Sequence, residues 1–323
     1  MRGSTLETEE NRIGPFIIQN ELDDGLVSKL YRVVYQPQNA LLDMGLIGMS
    51  DAMSPGSKAI VKIHKDEFKD DPSLLQSIEY ESQLLTLLDH PRILRTFAKG
   101  MVDDRRWIAL EDVEAVSLQR LHAHLRETEQ RLSPELVLHF LFQLSDALTA
   151  LHSLSLPQFA GQWIVHGGLH PTRILIDCYG SFHLLDFSFM RTIAYQPQFD
   201  FQDNQFFYQS PELVRKEQAG RQTDIYSLGL LAFELATGQS LEDGISEYED
   251  GLSFLLAEPR LNWSEEAELP VFLKGLIARM THPDASKRFS DAAALRTFIA
   301  DREPAASANA ARMAELIKPF IFV

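Results

Sequence analysis

The pattern of apolar residues changes once along this chain, and that change most constrains its fold. Up to about Glu111 the apolar residues fall in short runs; beyond it they recur at helical spacing. From Phe16 to Tyr35, β-branched and aromatic residues flank Asp23-Asp24-Gly25, which predicts a strand, a turn and a strand. Ala59-Ile60-Val61-Lys62-Ile63 reads as a compact strand, and residues 92–99 and 106–111 as two more. Residues 72–89 carry Leu74, Leu75, Ile78, Leu84, Leu85, Leu87 and Leu88 at helical spacing, and His90-Pro91 stops that helix. Residues 36–57, with Gly45, Gly48, Pro55 and Gly56, read as a long connection, either functional or mobile.

Past the change, Ser133-Pro134-Glu135 opens a long helix to about Leu154, with Ser133 as N-cap and Pro134 at the first helical position. A short strand pair surrounds Ile174–Ile176 and Phe182–Leu185, and residues 224–237, 268–280 and 291–301 read as helices. The expected class is α+β and bilobal. A disordered lead (1–13) precedes a small β-rich lobe with one main helix (about 14–112) and a larger helical lobe (about 113–302). A tail, 303–323, ends in Phe320-Ile321-Phe322-Val323 and either docks on its own domain or meets a partner or second copy.

Composition narrows the function classes. The formal charge of −16, from 30 basic and 46 acidic residues, disfavours nonspecific nucleic-acid binding and anionic membranes. The single cysteine, Cys178, permits no internal disulfide and fits a reducing cytoplasm. No apolar run approaches the roughly 20 residues of a membrane span.

The chemistry-bearing segments stand in a definite order: Ala59-Ile60-Val61-Lys62; Glu81; Leu110 and Glu111; His166-Gly167-Gly168-Leu169-His170-Pro171-Thr172-Arg173; Asp186-Phe187-Ser188; Ser210-Pro211-Glu212; Asp224-Ile225-Tyr226-Ser227-Leu228-Gly229; and Arg288. Over roughly residues 14–300 this order and spacing resembles a eukaryotic-type protein kinase. The resemblance implies that Lys62 grips phosphates with Glu81 as its ion-pair partner, and that Leu110 is the gatekeeper. Glu111 and Val113 then form the hinge, Asp186 belongs to the metal site, and Arg288 is the buried partner of Glu212.

The departures sit at the reactive centre. Gly168 stands where the family places its catalytic aspartate, Arg173 where it places a metal-binding asparagine, and Gly167 where many members carry an arginine that pairs with a phosphorylated activation loop. Glycine accepts no proton and a guanidinium does not ligate Mg²⁺; Arg173 is expected to pair with Asp186 instead. Of the phosphate-binding glycine pattern only Gly25 remains, beside Asp23 and Asp24, and Ile60 adds bulk above the adenine position. His170 replaces a lysine and reads as an exposed loop residue, with a displaced base as the rival reading.

These departures imply a pseudokinase: a protein-binding scaffold or allosteric regulator, not an enzyme, with no metal, no obligatory cofactor and at most weak ATP binding at Lys62, Glu81 and Asp186. An atypical nucleotide-dependent transferase and a nucleotide-sensing switch are the alternatives. Two surfaces are candidates for a protein partner. One is the aromatic stretch Tyr195–Tyr208, read either as folded over the site or as an interface. The other is the acidic run Leu241–Asp250, read either as a docking loop or as a solvated charge run.

Overall fold

The structure, a computed structural model, describes residues 11–24, 28–37, 53–192, 203–241, 261 and 269–321. The short apolar runs in the first part of the chain become an antiparallel sheet. Its strands are β1 (Arg12–Ile13), β2 (Phe16–Asp24), β3 (Ser28–Tyr35), β4 (Lys58–His64), β5 (Thr96–Val102) and β6 (Arg105–Glu111), in the order β1-β2-β3-β4-β6-β5. β4 lies between β3 and β6 and is buried from Ala59 to His64, so both of its faces are covered. That explains its near-continuous apolar run. Phe16, Val33, Val61, Ala109 and Trp107 form the core on one side, with Phe16 edge-on to Trp107 at 5.4 Å.

One expected boundary moves. Residues 92–95 are not part of β5. Pro91 begins a turn, and Ile93 makes an isolated parallel bridge to Leu184, whose N–H donates to the Arg92 carbonyl at 2.8 Å. Ile93 and Leu94 are both buried, and this apolar pair imitates a strand in sequence.

The helix of the first part, α1 (Pro72–Leu87), starts where Asp71 caps the N–H groups of Ser73 and Leu74 at 2.9 and 3.0 Å, with Pro72 at the first position. It buries Leu74, Ile78, Leu84 and Leu85, and with them Glu81.

The second part is helical: α2 (Leu118–Glu127), α3 (Pro134–Ser153), α4 (Pro211–Val214), α5 (Arg221–Thr237), α6 (Val271–Met280), α7 (Ala292–Arg302) and α8 (Ala310–Ile321). A small sheet of β7 (Ala115–Ser117), β8 (Ile174–Asp177) and β9 (Phe182–Leu184) belongs to it. Pro134 takes the first position of α3 as expected, although Ser133 makes no side-chain bond to the helix N-terminus. Every residue of α5 from Thr223 to Ala236 is buried, the mark of a helix at the centre of a domain. α3 packs on α5 and α7, and α8 packs on β7 and α3. The tail therefore docks on its own unit: Met313 and Ile317 are fully buried, and the Phe320 ring meets His124 edge-on at 4.8 Å. Phe322 and Val323 lie outside the described residues.

The chain divides into two compact units, Met1–Asp89 with Leu94–Val113 and His90–Ile93 with Glu114–Val323.

Candidate functional site

Each unit carries a cluster of the expected site residues. In the first, Lys62 comes from β4 and Glu81 from the inner face of α1. The Lys62 ammonium donates to both carboxylate oxygens of Glu81 at 2.8 Å, and both side chains are about 97% or more withdrawn from solvent. An ammonium so placed needs an opposite charge beside it, and Glu81 supplies one. Ile60, also on β4, is buried and registers opposite Leu110 of β6. Glu111 ends β6 and its N–H donates to the Arg95 carbonyl at 2.9 Å. Beyond it, Arg32 bonds Asp112 at 3.0 Å and reaches the Val113 carbonyl at 3.5 Å. Asp23 and Asp24 end β2, while Gly25, Leu26 and Val27 lie outside the described residues.

The second cluster is built on the loop 166–173. Asp224, from the first turn of α5, fixes that loop by its backbone: it accepts from His166 N–H at 2.8 Å, Gly167 N–H at 2.9 Å and His152 Nε2 at 2.9 Å. Burial alone would raise the Asp224 carboxyl, but the bond from His152 and the neighbouring donors hold it below the ordinary carboxylate range. His166 is buried completely, which pushes its pKa down and keeps the imidazole neutral. Its ring lies 5.1 Å from Phe187 and its Nε2 is 3.2 Å from the Leu185 carbonyl.

The centre of this cluster is the expected pair. Arg173 Nε donates to Asp186 Oδ2 at 2.7 Å and Nη1 donates to the Gly168 carbonyl at 2.7 Å. The guanidinium also lies 4.1 Å over the Phe189 ring. The other Asp186 oxygen accepts from Ser188 Oγ at 2.8 Å. Asp186 itself adopts φ 63°, a left-handed conformation that costs a non-glycine residue about 1–3 kcal/mol and collects at functional sites.

Gly168 is committed to this arrangement. A Cβ there would stand 2.7 Å from Phe189 Cβ and 3.0 Å from its Cγ. Gly167 has φ +68°, and a Cβ on it would stand 2.7 Å from the Phe189 carbonyl and 3.0 Å from Arg191 Cδ. The two glycines are therefore not simple deletions, because Phe189 and Arg191 fill the space beside them. Sequence reasoning overlooked Phe189, since an aromatic residue after Asp-Phe-Ser carries no signal that it will seat an arginine.

His170 is not exposed, contrary to expectation. It is 3% accessible, its Nδ1 bonds Thr172 Oγ1 at 2.8 Å and accepts from Thr172 N–H at 3.2 Å, and its ring meets Tyr208 edge-on at 4.9 Å. Tyr208 donates to the buried Glu234 at 2.7 Å and accepts from Ser227 through its carbonyl at 2.6 Å. Phe207 and Tyr208 thus fold inward; Tyr195, Phe199, Phe201 and the acidic residues Glu242–Asp250 lie outside the described residues. Arg288 clamps Glu212 with bonds of 2.8 and 2.9 Å. Burial would raise the Glu212 carboxyl, but the Arg288 bond and charge bring it below its ordinary range.

The resemblance implies a divalent metal at Asp186 and position 173. Of the two side-chain positions that would hold it, one is a guanidinium and the other is paired with it. The residues present do not fit a divalent cation. Among the described residues there is no cluster of three or more His, Cys, Asp or Glu side chains able to hold one elsewhere. No described helix is long and apolar enough to cross a membrane.

Comparison with known proteins shows what the chain is similar to. The chain is 28% identical to the serine/threonine-protein kinase PrkC of Bacillus subtilis over 234 residues, 72% of this chain and 34% of the relative. It is 24% identical to the probable serine/threonine-protein kinase PknB of Lactococcus lactis over 244 residues, 74% of this chain and 37% of the relative. The chain thus spans about a third of the length of these curated relatives. The Mycobacterium tuberculosis PknI kinase domain superposes with a TM-score of 0.60 at 18% identity, covering 94% of this chain and 100% of that one, and so shares its bilobal fold.

These relatives overturn the expectation of a non-enzymatic pseudokinase scaffold, because they are named as serine/threonine-protein kinases. Nor do they favour an atypical transferase or a nucleotide sensor. The physical reason for the error is one of weight. A missing general base removes about 10²–10⁴ of rate, not all of it, so Gly168 and Arg173 do not outweigh an otherwise retained framework. The protein kinase domain profile matches residues 51–298, and the chain belongs to the protein kinase domain family.

Proposed function

We propose that this chain is a serine/threonine protein kinase domain that moves the γ-phosphoryl group of ATP to a hydroxyl of a protein substrate. The observation that carries the reading is the buried Lys62–Glu81 pair, with both bonds at 2.8 Å. In protein kinases a lysine–glutamate pair of this kind is part of the arrangement that phosphoryl transfer requires. The names of the relatives support the same reaction class.

The residues take these roles. Lys62 holds phosphate oxygens, and Glu81 directs its ammonium. Glu111 and Val113 present main-chain groups to the base. Arg173 supplies a fixed positive charge beside Asp186, where charge develops on the transferring group. The substrate oxygen bonds to phosphorus as the bond to the β-phosphate oxygen breaks, and ADP departs with that electron pair. In a loose transition state the hydroxyl proton leaves late. With glycine at 168 it passes to a phosphate oxygen or to water. The single cysteine supports a cytoplasmic setting.

Incubation with γ-labelled ATP and a library of serine- and threonine-containing peptides tests the reading. Label on phosphoserine or phosphothreonine that disappears in Lys62→Ala supports it. Peptides left unlabelled by the folded wild-type chain overturn it.

A further inference from the structure

We propose that the guanidinium of Arg173 is the resident cation of this site, held by Asp186 in place of a divalent metal. The inference deepens the kinase reading, on which it rests for its relevance to ATP, by naming the ion that the site does without.

Four contacts carry it. Nε donates to Asp186 Oδ2 at 2.7 Å, and Nη1 donates to the Gly168 carbonyl at 2.7 Å. The Phe189 ring covers one face of the guanidinium at 4.1 Å. Ser188 Oγ donates to the second Asp186 oxygen at 2.8 Å, so both carboxylate oxygens are engaged. The pair is largely withdrawn from solvent, with side-chain exposures of 6% for Arg173 and 15% for Asp186.

Mg²⁺ needs several oxygens at about 2.0–2.1 Å in near-octahedral array, and a guanidinium offers no lone pair. A fixed positive charge of low dielectric surroundings also repels a second cation in contact with the same carboxylate. The arginine cannot swing aside without cost, because the Gly168 carbonyl, the Phe189 ring and Asp186 hold three parts of it. The absence of a side chain at 168 is what admits Phe189, since a Cβ there would stand 2.7 Å from Phe189 Cβ and 3.0 Å from the first ring atom. Gly168 and Arg173, which read in the sequence as two separate losses, are one substitution of a bound metal by a covalently attached cation.

The test uses Mn²⁺ alone, without nucleotide, titrated into the full chain and followed by the electron paramagnetic resonance signal of free Mn²⁺. Wild type, Asp186→Asn, Arg173→Asn and the Arg173→Asn/Asp186→Asn double variant are compared, each checked for folding by circular dichroism. The expected result is no Asp186-dependent Mn²⁺ binding in the wild type up to millimolar ion. Arg173→Asn should gain one site at least tenfold tighter, and the double variant should lose it. Arg173→Gln serves if the asparagine variant fails to fold. Mn²⁺ binding by the wild type that Asp186→Asn abolishes overturns the proposal, as does a folded Arg173 variant that gains no site. Because no phosphate is transferred in this assay, its outcome is separate from that of the peptide-labelling experiment.

Discussion

Lys62 and Glu81 are joined by two bonds of 2.8 Å between a central strand and a buried helix face, with side-chain exposures of 3% and 1%. A buried pair of this kind is most sensitive to losing one partner, which leaves the other charge buried and uncompensated at about 3–5 kcal/mol. Lys62→Met is therefore expected to destabilise the chain by that amount in urea unfolding. The double variant Lys62→Met/Glu81→Leu should recover most of the loss, and a double-mutant cycle measures the coupling directly.

The same reasoning applies to Glu212 and Arg288, where the geometry is bidentate at 2.8 and 2.9 Å. Arg288→Lys should behave nearly as badly as Arg288→Ala, because an ammonium cannot reproduce the fork. Both are expected to lose about 3–5 kcal/mol on unfolding. A lysine variant as stable as the wild type would show that charge alone suffices there.

Restoring the family's aspartate at 168 should not restore the family's geometry. The new Cβ meets Phe189 Cβ at 2.7 Å, and overpacking of this kind costs about 1–3 kcal/mol. Gly168→Ala and Gly168→Asp are expected to lower the melting temperature similarly, and Phe189→Gly, which removes the Cβ as well as the ring, should relieve the clash in either background. Calorimetric melting of the four variants checks it.

Acid should weaken the fold in a definite window. Burial lowers the pKa of His166 below its ordinary 6.5, so the unfolded chain takes up a proton there that the folded chain refuses. Stability contributed by the neutral His166 is present above about pH 6.5 and is lost progressively as pH falls below it. Asp224, held below its ordinary 3.8, adds a second loss only at lower pH. Melting temperatures measured from pH 7.5 to 5 should fall, and the fall should be shallower in His166→Gln.

Much of this arrangement is legible in the sequence because it is set by spacing along elements. Lys62 lies on an apolar run and Glu81 on the apolar face of a periodic helix, so a strand–helix ion pair follows once both elements are placed. The Arg173–Asp186 pair follows from a cation and an anion at two linked motif positions. What the sequence concealed depends on through-space packing. Nothing local marks Phe189 as the residue that occupies the place of a side chain at 168, or His170 as buried against Tyr208. Ile93 misled because a buried bridge and a buried strand share the same apolar signature over four residues. The functional error was of another kind. Two substitutions at the reactive centre outweighed a retained framework, and the relatives named as kinases reverse that weighting.

The most direct measurement is the intact mass of a serine/threonine protein substrate after incubation with the chain and ATP, in parallel for wild type and Lys62→Ala. The account predicts a substrate heavier by whole phosphate groups with the wild type and unchanged with Lys62→Ala. A substrate whose mass stays constant with folded wild type, or rises equally with both chains, would contradict it.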